Sequence, residues 1–290
     1  MSGVTFARRV AVAAVSVGII CVVTAIAGTL HSPTRTKLRE AYYGLVRGTP
    51  MVAGIPRAVL DCRRLVGPKT LVALTFGQSN SANFVRGRHR AKYAVFYVAD
   101  GRCYAAEDPL PGADGDGGSV WSRLGDLLIA SGRYERVVFA GIGVANSAVS
   151  SWSPGGELHP KLMDTLKGLV GTGLTPTHLL WHQGETDRSR HTTGAAYQAR
   201  FRELVQAIRQ AKIAAPILVA VASYCHGDSS AQITGAQAAL VSRRLNIYAG
   251  PNTDHYTAPE DRADDCHFSA LGAERVAAAW FAALSAVQHE

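Results

Sequence analysis

The stretch Leu71-Val-Ala-Leu-Thr-Phe-Gly-Gln-Ser-Asn-Ser81 sets a short, nearly all-apolar run directly before a polar turn. A run of that length, stopped by Gly77, reads as a central strand of a parallel sheet, because both faces of such a strand must be covered. Ser79 then falls just beyond the carboxyl end of the strand, where open α/β sheets carry their chemistry. Alone, a Gly-x-Ser turn is a weak signal, since solvated loops contain it too. Two stretches far downstream add to it: Trp181-His-Gln-Gly-Glu-Thr-Asp187 and Asp264-Asp-Cys-His267.

The chain between and around these stretches alternates two periodicities. Residues 92–99 alternate in polarity and end at Asp100-Gly101, a hairpin-type turn. Apolar runs at 136–143, 177–182 and 217–224 read as further strands. Helical spacing covers 120–130 behind a Ser119 N-cap, 158–170, 194–212, 231–245, and 270–287 behind a Ser269 N-cap. Residues 109–118 form a glycine-rich loop; Asp114 and Asp116 suggest a calcium loop, but the other ligands are missing. Strands alternating with helices imply a parallel sheet covered on both sides.

Three of these stretches resemble the blocks of the SGNH (GDSL-like) hydrolases, most closely the sialate O-acetylesterase and acetylxylan esterase branch (carbohydrate esterase family 6-like). Gly77-Gln78-Ser79-Asn80 is similar to the nucleophile block, His182 to Asp187 to the third block, and Asp264-x-x-His267 to the last. Residues 140–152 resemble the second block but depart from it, with Ala145 and Asn146 where the branch usually has a glycine pair. The resemblance covers residues 70–288. It implies an α/β/α sandwich of three layers around a flavodoxin-like parallel sheet, and a serine esterase acting on O-acetylated carbohydrate. The same machinery serves O-acetyl transfer to a glycan, and a carbohydrate-binding protein that no longer turns over is a further alternative.

A net charge of +8 invites a nucleic-acid reading until it is located. Residues 1–70 carry ten Lys and Arg against Glu40 and Asp61, whereas residues 71–290 carry twenty of each sign. The globular part is neutral, so no phosphate-binding groove is supported and no nucleic-acid partner is expected. Apolar content of 47% is ample for a core, and no linker or repeat follows residue 70, so one domain is expected over 70–290.

Residues 10–30 form 21 uncharged positions behind Arg8 and Arg9, long enough to span a bilayer. They read as a signal anchor, or as a signal peptide cleaved near Ala27, since Ala25-Ile-Ala27 fits the small-residue pattern. Residues 31–69 read as a basic juxtamembrane connector. Flanking Lys and Arg favour a cytoplasmic domain. Against that, Cys62, Cys103, Cys225 and Cys266 make an even set suited to an oxidising compartment, so an extracytoplasmic domain held at the membrane is expected. A Cys225–Cys266 bridge would hold the last block against the sheet, leaving Cys62 for Cys103.

The chemistry follows from what a serine hydroxyl needs. It is a poor nucleophile at neutral pH and requires a base, for which His267 is suited. Asp264, three residues earlier, can reach the far ring nitrogen and orient it, while Asp265 should point away. For the oxyanion the expected donors are the Ser79 N–H, the Gln183 side-chain amide, and a backbone N–H of Ala145 or Asn146, with the Asn146 side chain as an addition. Gln78, Trp152 and Glu185 are placed toward substrate, Glu185 also as a hydrogen-bond partner of the Ser79 loop. His182 and His226 are read as pocket walls. No residue cluster has metal-ligand spacing, so no metal and no cofactor are expected. Protein partners are unknown from the sequence.

Overall fold

In a computed structural model, residues 58–287 are described. The expected membrane span at 10–30 and most of the connector lie outside the described residues. Strand β2 (Thr70–Gly77) is buried at all eight positions. It lies in the middle of an eight-stranded sheet, because β5 (Arg136–Gly141) and β6 (His178–His182) pair with it in parallel on either side. Beyond β5 comes β3 (Val95–Ala99), and beyond β6 come β7 (Ile217–Val221) and β8 (Ile247–Asn252), all parallel. Chain order therefore reverses at β2, and the carboxyl ends of the strands beside such a reversal are where open α/β sheets place their sites.

The sheet is mixed rather than all parallel. Strand β4 (Arg102–Ala105) returns from the Asp100-Gly101 turn antiparallel to β3, and β1 (Val59–Leu60) pairs antiparallel with β4. Residues 58–69 thus belong to the folded domain rather than to a connector. Leu65 is buried there, and Cys62 is disulfide-bonded to Cys103 on β4.

Alternation along the strands divides the core in two. Val72, Leu74 and Phe76 of β2 join Val138 and Ala140 of β5 on one face, while Leu71 and Ala73 join Val137 and Phe139 on the other. The first face is covered by α2 (Val149–Trp152), α3 (His159–Gly171), α5 (Gly194–Gln210) and α6 (Ala231–Ala238), with the short α4 (Glu185–Ser189) following β6, and the second by α1 (Val120–Ala130) and α7 (Ala270–Val287). Helix α7 is apolar enough to cross a bilayer, yet it is the core helix of its face, with Val276, Ala277, Trp280 and Leu284 buried.

Two local expectations are corrected. Ser119 stands at the N-cap of α1, but its hydroxyl donates to Asp108 at 2.9 Å instead of capping the helix. The helix expected over 231–245 stops at Ala238, and Asn246 turns the chain through a left-handed conformation (φ 55°) into β8. That strand has no apolar run to mark it in the sequence, because it is a sheet edge in which only Ile247 and Pro251 are buried.

Candidate active site

Beyond β2 the chain makes one tight turn over Ser79–Ser81. Gly77 makes this possible: its φ is 131°, and a Cβ there would meet the His182 carbonyl oxygen at 2.1 Å. The turn settles which serine is available. Ser81 is fully buried, with its Oγ sealed from solvent and unpartnered. The Ser79 Oγ makes no hydrogen bond among the described residues and is not sealed.

The last block builds its geometry within four residues. His267 Nδ1 lies 2.8 Å from Asp264 Oδ2, while Asp264 Oδ1 accepts the backbone N–H groups of His267 (2.7 Å) and Cys266 (3.1 Å). The hydrogen bond from the His267 ring, with these two, holds the Asp264 carboxyl well below the usual carboxylate range. The imidazole stacks on Phe84, centroids 5.0 Å apart, and its Nε2 has no partner among the described residues. Asp265 points away, accepting the Tyr224 hydroxyl at 2.5 Å.

Two devices hold this turn. The Cys225–Cys266 disulfide ties it to the segment after β7. Arg262, only 5% exposed, donates to the carbonyls of Cys266 (2.6 Å), Tyr256 (2.6 Å) and Thr253 (2.9 Å), with its guanidinium 4.1 Å from the Phe268 ring centroid. Asn80 joins the two blocks: its Nδ2 donates to Glu185 Oε1 at 2.7 Å and to the Cys266 carbonyl at 3.2 Å. Asn80, next to Ser79, could have been found within the Gly77–Asn80 block. Nothing in the sequence marks Arg262.

Several expected substrate contacts are displaced. Trp152 is fully buried, donating Nε1 to Ser147 Oγ and packing edge-on against Phe76 and Trp181, so no sugar reaches it. Glu185 is 4% exposed and is occupied with Asn80, as the alternative reading of it expected; burial raises its pKa. His182 is a core residue rather than a wall, its pKa lowered to about 3 by burial and by the Arg262 charge. His226 is exposed.

The Gln183 amide is also unavailable to an oxyanion. It has no exposure, and its Nε2 already faces Asp187 Oδ2 (2.6 Å), the Ser147 carbonyl (3.1 Å) and Gln78 Oε1 (3.2 Å). Two N–H bonds directed at three oxygens leave none over. In the second block the Ala145 N–H donates to Asp114 Oδ2, which leaves the Asn146 N–H as the open one. Asn146 has φ 57°, a left-handed conformation that asparagine tolerates better than most residues, which explains how it stands where the family uses glycine.

The glycine-rich loop serves this second block. Asn83 grips it through the Leu110 and Ala113 carbonyls and the Leu110 N–H, and Asp114 bonds both Gly143 and Ala145. Asp114 and Asp116 do not converge on a metal site. Among the described residues the group spaced for a metal is Cys225, His226 and Cys266, whose two sulfurs are bonded to each other.

A mixed α/β sheet with a Gly-Gln-Ser-Asn turn at its centre and an Asp-x-x-His turn bonded to it through Asn80 defines an SGNH-type hydrolase. The pattern of the family described as carbohydrate esterase, sialic acid-specific acetylesterase, matches residues 127–285, more than half of the chain, and the chain belongs to that family. It is a carboxylic ester hydrolase that removes O-acetyl groups from carbohydrate. No protein of curated function matches the sequence. Among solved structures it is similar to a protein from Arabidopsis thaliana (TM-score 0.62, 15% identity, 76% of this chain and 99% of that one). It is also similar to NanS (0.52, 14%, 78% and 100%) and to a carbohydrate acetylesterase from Xanthomonas citri (0.50, 18%, 74% and 56%). At these identities the likeness is one of fold.

Proposed function

We propose that Ser79 is the nucleophile of this esterase, His267 its general base and Asp264 the orienting acid. The Ser79 oxygen attacks the acetyl carbonyl carbon as His267 Nε2 takes its proton. The proton then passes to the departing sugar oxygen, leaving acetyl-Ser79 and a free sugar hydroxyl. Water, deprotonated by the same nitrogen, attacks next; the bond from the acetyl carbon to Ser79 breaks, His267 returns the proton to the serine oxygen, and acetic acid leaves and ionises to acetate. The backbone N–H groups of Ser79 and Asn146 face the oxyanion. The observation that carries this reading is the Asp264–His267 contact at 2.8 Å, which occupies Nδ1 and leaves Nε2 free on a turn bonded to the residue after Ser79.

Purified residues 31–290 and their Ser79→Ala, His267→Ala and Ser81→Ala variants, assayed for acetate release from 4-nitrophenyl acetate and acetylated xylan, test it. Ser79→Ala and His267→Ala should each lose several orders of magnitude in turnover, and their double variant little more, because such residues act as a unit. Near-normal turnover in Ser79→Ala would remove the nucleophile from this scheme.

Hydrolysis rather than transfer is supported by the site's cover. A transferase must shield its acyl-enzyme from water or hold an acceptor in near-attack position. The glycine-rich loop, the obvious candidate for a lid, is pinned by Asn83 and Asp114. The protein's place is proposed to be outside the cytoplasm, held at the membrane by residues 10–30 or secreted after cleavage near Ala27. The two disulfides support that compartment. A flavodoxin-like, three-layer description of the domain belongs to the same reading, supported by the helices on both faces of its sheet.

A further inference from the structure

With Gln183 committed elsewhere, the oxyanion lacks the side-chain donor that the sequence led one to expect. The residue beside the nucleophile offers one. Gln78 is 3% exposed, and its Oε1 accepts from the Thr186 N–H (3.0 Å), Gln183 Nε2 (3.2 Å) and the Gly184 N–H (3.4 Å). Three donors converging on one atom identify it as the oxygen, so the orientation of the amide is set by its neighbours. Its Nε2 therefore occupies the other branch. That nitrogen makes no hydrogen bond among the described residues and is not sealed from solvent. A buried amide held by its oxygen, with two N–H groups unspent beside the attacking serine, is a preorganised donor that needs no reorganisation when charge develops.

The bonds behind Gln78 favour the same role. Gln183 stands between Gln78 Oε1 and the buried Asp187 carboxyl, and hydrogen bonds accepted by an amide oxygen strengthen the N–H groups of that amide. We infer that Gln78 Nε2 is the side-chain donor to the oxyanion, and that Gln183 is a positioning residue that holds Gln78 from behind. This rests on the reading of Ser79 as nucleophile.

Gln78→Met and Gln78→Glu separate the possibilities. Methionine keeps the length of the side chain and removes donor and acceptor together. Glutamate keeps an accepting oxygen for Thr186, Gly184 and Gln183 but has no N–H when ionised. With 4-nitrophenyl acetate, Gln78→Met should lose about 10²-fold to 10³-fold in kcat with KM within about twofold of the parent, as for one oxyanion donor. Gln78→Glu should lose at least as much, although its anchor is intact. Phosphorylation by diethyl 4-nitrophenyl phosphate, with loss of 4-nitrophenolate, should slow by a similar factor in both. Parental kcat in Gln78→Met, turnover restored by Gln78→Glu, or a loss confined to KM would each overturn the inference. Should Gln78→Met melt early, Gln78→Glu decides alone. Activity surviving in Ser79→Ala would instead strike the nucleophile assignment, and is measured separately.

Discussion

The two halves of the proposed catalytic machinery are built by opposite means. Asp264 and His267 find each other across three residues, at a partly exposed turn whose main bonds are local. The Ser79 turn is buried, and its surroundings come from distant parts of the chain: Glu185 and Cys266 reach Asn80 across 105 and 186 residues. An exposed pair of short reach tolerates disturbance of the core, whereas a buried amide network depends on it. A local pair can also be recognised as a motif, and a network cannot.

The largest effect that sharpens this contrast is expected from Asp264→Asn. Loss of the orienting carboxylate should reduce turnover about 10⁴-fold, as for other triads, with a modest but measurable fall in melting temperature at neutral pH, because the turn is half exposed. The stability that Asp264 does contribute has a defined pH range. Its folded pKa is depressed, so the contribution is complete above the ordinary carboxylate pKa and disappears as pH falls through the lower folded value. Thermal melts should therefore separate parent from Asp264→Asn at pH 7 and converge in strong acid. A gap that widened on acidification would contradict the hydrogen bonds assigned to Asp264.

Gln183→Leu probes the buried half. Removing its amide leaves Asp187 and the Ser147 carbonyl short of a donor, and about 1–3 kcal/mol of stability should be lost. Turnover should fall less than in Gln78→Met. If Gln183→Leu proved the more damaging to kcat at unchanged stability, the donor would be Gln183 after all. Chemical denaturation beside steady-state kinetics makes that comparison.

The disulfides give a comparison matched in loop length, since both close a sequence separation of 41. Replacing either pair by alanine should cost a similar amount, about 2–4 kcal/mol. Only loss of Cys225–Cys266 should also reduce turnover, because Cys266 lies inside the Asp264 to His267 turn. Equal turnover in the two double variants would show that Arg262 and Asn80 hold the turn without the disulfide.

The smallest effect is expected from Trp152→Phe. A buried indole replaced by a smaller ring loses the bond to Ser147 and some packing, so stability should fall by about 1–3 kcal/mol while KM for acetylated xylan stays unchanged. A raised KM would return Trp152 to the substrate's side.

The amino-acid sequence by itself determined what depends on neighbours along the chain. The β2 run, its stop at Gly77, the helices with strong periodicity and the three-residue step from Asp264 to His267 were all legible, because each is enforced within one strand, helix or turn. The blocks seen together also single out Ser79, the nucleophile proposed above. Tertiary structure alone decided which polar groups are spent and which are free. Gln183 and Gln78 carry the same amide, and no pattern tells that one faces a carboxylate while the other keeps its N–H groups open. Trp152 and Glu185 read as loop residues near the site, and only packing put them beneath it. Arg262 gave no sign at all, since its partners are backbone carbonyls, which every residue has. Burial and hydrogen-bond saturation belong to the assembled chain, and in this site they separate the groups that can meet an acetyl ester from those that hold them in place.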